Sequence, residues 1–201
     1  MKSNIKCFVF PKTVRTQLVE TLILSSTSKE MAQTVDYKKS INKQIAVGFL
    51  LIGALGSALW FLVPDTIPGR RVEYTLSWLA VFAMPVFLGI HPMLFRRYND
   101  PELIKGYKSS VDASFDRAYL TNAVEQTAVN VLTAVTLGMV APISLMKLVS
   151  IQALIYLIGR VWYYFSYRAA PMKRFTSFVL GYYVAVISLF LSIYFVMCNL
   201  Y

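Results

Sequence analysis

Histidine and cysteine are nearly missing, with one His and two Cys among 201 residues. A histidine metal cluster needs several imidazoles, and a Ser-His-Asp triad needs its histidine beside a serine and a carboxylate. The lone His91 supports neither in any ordinary way and reads instead as a polar group bonded within a helix bundle or at its edge. Cys7 and Cys198 stand near opposite ends of the chain, with no histidine close in sequence to activate either thiol, and no disulfide between them is expected. Acidic residues are also scarce: ten Asp and Glu against 20 Lys and Arg give a formal net charge of +10. Such a balance raises nucleic acid as a partner. No nucleic-acid motif accompanies it, however, and the basic residues are distributed as a membrane topology requires, so nucleic acid is not expected.

What the chain has in excess is apolar surface, 57% of residues against 15% charged, which points to an integral membrane protein. A membrane-spanning helix needs about 20 mainly apolar residues. Stretches 45–63, 74–95, 126–146 and 175–199 supply them without Lys, Arg, Asp or Glu, and 148–167 is interrupted only by Arg160. The third span extends back to about residue 118. The fold class is therefore an all-α integral membrane protein: a basic tail over 1–44, a first transmembrane helix over 45–63 and four closely spaced spans within 72–201.

Lys and Arg between the spans set the expected orientation. The tail carries Lys38, Lys39 and Lys43 among others, the second loop carries Arg96, Arg97, Lys105, Lys108 and Arg117, and the fourth carries Arg168, Lys173 and Arg174. The opposite side holds only Arg70, Arg71 and Lys147. This places the N-terminus in the cytosol and Tyr201 on the lumenal side. The tail does not read as a cleavable signal, since its apolar runs are too short; its composition suits a mobile segment with a transient helix around 14–24.

Local signals add detail. Gly48, Gly53 and Gly56, with the pairs Gly53/Ser57 and Ala54/Ala58 at small-xxx-small spacing, prepare the first span for close helix approach. Pro64, Asp65, Pro68 and Gly69 predict a tight turn, Pro85 and Pro92 predict a kink in the second span, and Ser109 with Asp112 predicts a capped helix start.

Polar residues inside the apolar half are the candidate site. An ionised side chain at the centre of a bilayer helix costs at least ~2.5–3.5 kcal/mol, so those retained face a bundle or a cavity. Arg160, Tyr163 and Tyr167 are spaced i, i+3, i+7 and share one helix face, extended by Gln152 and Tyr156. Asn122 and Glu125 are similarly i, i+3, with Gln126 and Asn130 continuing one flank, and Arg174 opens the last helix. Guanidinium groups for carboxylates, a carboxylate for an ammonium, an amide and two phenols suit a small polycarboxylate peptide, and glutathione fits that inventory. The same residues can also pair across helices to fix bundle geometry.

The run Tyr119-Leu-Thr-Asn-Ala-Val-Glu-Gln126, with Gly159-Arg-Val-Trp-Tyr-Tyr-Phe-Ser-Tyr167 and Arg174, resembles the membrane-associated proteins in eicosanoid and glutathione metabolism, or MAPEG family, over roughly 72–201. The resemblance implies a MAPEG-like four-helix bundle, here preceded by one extra transmembrane helix, assembled as a homotrimer with glutathione bound between subunits near the cytosolic face. It assigns glutathione binding to Asn122, Glu125, Arg160, Tyr163 and Tyr167, and assigns Arg174 to the thiolate. It further implies conjugation or peroxide reduction of a lipophilic small molecule arriving from the bilayer, in the endoplasmic reticulum or another endomembrane. The segments Arg71-Val-Glu-Tyr74, Ala80-Val-Phe-Ala-Met-Pro-Val-Phe-Leu-Gly-Ile90 and Asn199-Leu-Tyr201 are similar to a divergent, mattrin-like branch. That branch implies the alternative of a non-enzymatic membrane protein acting in trafficking or receptor regulation through protein partners.

Overall fold

The computed structural model describes residues 38–64, 70–100, 111–169 and 174–200. Among these the chain is all-helical, and five helices are long and apolar enough to cross a membrane. They are α1 (Lys38–Leu62), α2 (Arg71–Asn99), α3 (Val111–Val140), α4 (Lys147–Ala169) and α5 (Phe175–Leu200). The expected tail helix around 14–24, the turn residues Asp65, Pro68 and Gly69, and the capping residue Ser109 lie outside the described residues.

Helix limits follow local chemistry more closely than apolar runs. The third run continues to residue 146, yet α3 stops at Val140. Pro142 lacks an N–H and pushes the preceding residue away from helical backbone, and a short 3₁₀ turn over Ile143–Leu145 leads into α4. By contrast α2 runs through both Pro85 and Pro92. Each proline deprives the carbonyl four residues earlier of its helical donor, and α2 spans 29 residues despite this.

The chain divides between Lys43 and Gln44. From Gln44 onward, α2, α3, α5 and α4 form a ring in which α3 and α4 also touch across the middle. Phe82, Leu137, Ile155, Tyr156 and Leu180 fill the main core. A second cluster of Tyr119, Ala123 and Tyr163, flanked by Tyr164, Tyr167 and Phe178, lies farther along α3 and α4.

The first helix joins α5, and the contact is not made by its regular small-residue pairs. Gly53, Ala54, Ser57 and Ala58 are exposed, and a Cβ at Gly53 or Gly56 would meet nothing within 4 Å. Gly48 makes the close approach: a Cβ there would stand 2.6 Å from the Val179 side chain. Thr176 Oγ1 donates to the Gln44 carbonyl at 3.3 Å, and Phe49 packs edge-on against Tyr183 with ring centroids 4.8 Å apart.

Candidate functional site

Arg160 is the largest fully buried side chain in the described bundle. Small residues on either side make room for it. A Cβ on the preceding Gly159 would stand 2.9 Å from the Gly181 backbone nitrogen, and one on Gly181 would stand 2.8 Å from Gln126 Oε1 and 3.4 Å from Arg160 Cδ. The α4–α5 crossing thus brings two backbones together at the level of the arginine and leaves its side chain to extend toward α3.

On α3 the guanidinium meets amides. Arg160 Nη1 donates to Asn122 Oδ1 at 2.7 Å and, at 3.4 Å, to Gln126 Oε1. Its carbon stands 4.7 Å from the Tyr163 ring centre and 5.2 Å from that of Tyr119, close enough for cation–π attraction. Among the described residues, Nε and Nη2 are buried without a hydrogen-bond partner. No carboxylate forms an ion pair with Arg160 among the described residues. A buried guanidinium with two unoccupied donor positions and only neutral neighbours is a strong anion-binding feature, because an uncompensated buried charge is costly.

A ladder of rings continues from it. Tyr163 and Tyr167 have centroids 5.5 Å apart, and the Arg174 guanidinium carbon stands 4.9 Å from the Tyr167 ring. Ser177 Oγ donates to the Arg174 carbonyl at 2.8 Å and lies 3.2 Å from Ser166 Oγ on α4, which fixes the start of α5 against α4. Beyond Arg160, polar side chains extend into the bundle. Asn130 Nδ2 donates to the Gly181 carbonyl at 3.0 Å, Gln152 Nε2 donates to Thr133 Oγ1 at 2.8 Å, and Thr127 Oγ1 and Tyr156 OH share a 2.7 Å bond.

Of the six expected site residues, five are linked in one series: Asn122, Arg160, Tyr163, Tyr167 and Arg174. Glu125 is exposed on the outer side of α3 and makes no ion pair among the described residues. Each step along an α-helix turns the side chain by about 100°, so Asn122 and Gln126 at i, i+4 share the face that Glu125 leaves.

Two contributors were not singled out from the sequence. Gln126, expected only to continue a flank, touches the guanidinium, and Tyr119 lies beside it. Both belong to the buried α3 stripe Asp116, Tyr119, Ala123, Gln126 and Asn130, whose spacing of three and four residues is visible in the sequence. The same stripe supplies an unanticipated ion pair: Arg96 Nε at the end of α2 lies 2.6 Å from Asp116 Oδ2.

No curated protein and no solved structure matches the chain. Five helices able to span a membrane describe a multi-pass membrane protein. Residues 98–194, which include the described parts of α3 and α4 and most of α5, match the model of the MAPEG family, and this match supports membership of the chain in that family.

Proposed function

We propose that the polar cluster around Arg160 binds glutathione and that the chain uses it on lipophilic electrophiles, by conjugation or peroxide reduction. The observation that carries this reading is the fully buried Arg160, with Nε and Nη2 unoccupied. A carboxylate of the tripeptide supplies the missing counter-charge, and the guanidinium can hold it in a two-point fork. Asn122 orients the guanidinium through Oδ1, while Tyr163 and Tyr167 offer phenols along the line toward Arg174. A cation beside the thiol favours the thiolate, which is the nucleophile. Arg174 fills that role.

Glu125 enters through a second copy of the chain. The outer face of α3 exposes Ser114, Arg117, Thr121 and Glu125, a polar stripe on a helix long enough to span the bilayer. Charged groups at such depth face protein or water rather than lipid. A homotrimer that buries this stripe brings Glu125 to the ammonium of glutathione at the subunit boundary. The membrane is an endomembrane such as the endoplasmic reticulum, with the Arg174 end cytosolic and the C-terminus lumenal.

Calorimetric titration of the detergent-solubilised chain with glutathione tests the reading. Saturable binding at micromolar to millimolar concentration, lost in Arg160→Ala, is expected; Arg174→Ala retains binding and loses turnover of a lipophilic electrophile. No binding at several millimolar glutathione would refute the site and leave the partner-mediated, mattrin-like reading.

A further inference from the structure

A recess lies on the α2–α4 side of the ring. Met84, Leu88 and His91 of α2 and Leu157, Val161 and Tyr164 of α4 line a groove of about 750 Å³, within the roughly 300–1,000 Å³ of small-molecule sites. Its lining is almost wholly apolar. The wall extends from the middle of α2 to Pro92 and from the middle of α4 to Phe165. Eight residues rise about 12 Å along a helix, close to one leaflet of a ~30 Å hydrocarbon core. The groove thus occupies the leaflet toward which Arg97 and Arg168 project.

One arginine is tied to this wall. Tyr164, itself part of the wall, accepts a 3.1 Å hydrogen bond from Arg168 Nη1, and the guanidinium carbon stands 5.9 Å from the Phe115 ring centre. Arg96 is committed to Asp116. Arg97 and Arg168 are exposed, and Asp100 is the acidic residue described at this end of α2. His91 Nδ1 donates to the Phe87 carbonyl at 3.2 Å, so the ring is turned back onto its own helix at the rim.

We infer that this groove holds one acyl chain of an anionic phospholipid, with its phosphate on Arg168. Depth, apolar lining and a basic rim at headgroup level all fit a lipid of that leaflet, and charge complementarity selects an anionic headgroup over a zwitterionic one. The site has no lining residue in common with the Arg160 cluster and does not depend on glutathione binding.

Native mass spectrometry of the delipidated full chain, incubated with dioleoyl phosphatidic acid or dioleoyl phosphatidylcholine, tests the inference. Phosphatidic acid is retained about fivefold more strongly, as one basic residue near an anionic surface provides. Arg168→Gln brings the two lipids within about twofold of each other, and Val161→Trp, which fills the groove, reduces retention of both. A phosphatidic acid carrying a diazirine in its acyl chain labels peptides containing residues 84–92 and 157–165 in the unmodified protein. Equal retention of the two lipids by the unmodified chain, or labelling confined to other helices, would overturn the assignment. So would Val161→Trp leaving lipid retention intact while changing the number of subunits, which would make the groove an interface between copies.

Discussion

Arg96 and Arg160 both reach α3 from neighbouring helices, and their partners differ in kind. Arg96 reaches the carboxylate of Asp116, which is 1% exposed, at 2.6 Å. Arg160 is at 0% exposure and is met by Asn122 and Gln126, both neutral. The first pairs opposite charges within the chain and fastens the end of α2 to α3. The second has no carboxylate partner among the described residues and leaves two donors without a partner there. Burial of a cation thus has two uses here, and the identity of its partner separates a structural latch from a ligand site.

The sharpest way to break this comparison is to remove each cation in turn. Arg96→Met strands the buried Asp116 carboxylate, and loss of one partner of a buried pair costs roughly 3–5 kcal/mol. Partial exposure of Arg96 puts this case at about 3 kcal/mol, read as a lowered thermal midpoint in detergent. Arg160→Met removes an uncompensated cation together with its hydrogen bonds to Asn122 and Gln126, and costs about 1–2 kcal/mol without ligand. Equal losses in the two variants would assign Arg160 to the architecture.

Ligand linkage sharpens the same contrast. Glutathione at about 100 times its dissociation constant stabilises a folded protein by ~2.7 kcal/mol. This gain is expected in the unmodified chain and in Arg96→Met, and absent from Arg160→Met. Thermal midpoints with and without glutathione check it, and an equal gain in all three would place the ligand elsewhere.

A smaller effect is expected at the amides. Asn122→Ala removes the 2.7 Å bond that orients the guanidinium, at a cost of about 1.5–3 kcal/mol for a hydrogen bond to a charged group. It weakens glutathione binding by roughly tenfold or more, measured by calorimetry. The smallest change is Gly181→Ala, whose Cβ would crowd Gln126 Oε1 at 2.8 Å. Overpacking costs about 1 kcal/mol at the lower end. Recovery of the thermal midpoint in the double variant Gly181→Ala with Gln126→Ala would trace the effect to that contact.

The site is partly legible in the sequence. Arg160, Tyr163 and Tyr167 share a face by spacing alone, and the structure links all three. Their partner across the helix boundary is harder to read. Asn122 is compatible with either Glu125 or Gln126 on its face, since i+3 and i+4 lie on opposite sides of it; the packing of α3 against α4 and α5 turned Gln126 inward and Glu125 out. The Arg96–Asp116 pair joins residues separated by the loop between α2 and α3, and no local pattern announces it. In α1, regular small-residue spacing pointed to Gly53 and Ser57, but the close contact falls at Gly48, where the Val179 side chain projects from α5.

By itself the sequence determined the number, approximate length and composition of the membrane helices, because bilayer thickness sets how many apolar residues a span requires. It also determined which residues share a face within each helix, because 3.6 residues per turn is a local property. Only the tertiary structure decided which faces meet, since small residues and side-chain shape set helix approach between distant segments. That decision gave Arg96 a carboxylate, left Arg160 among amides, and separated the polar cluster from the apolar groove.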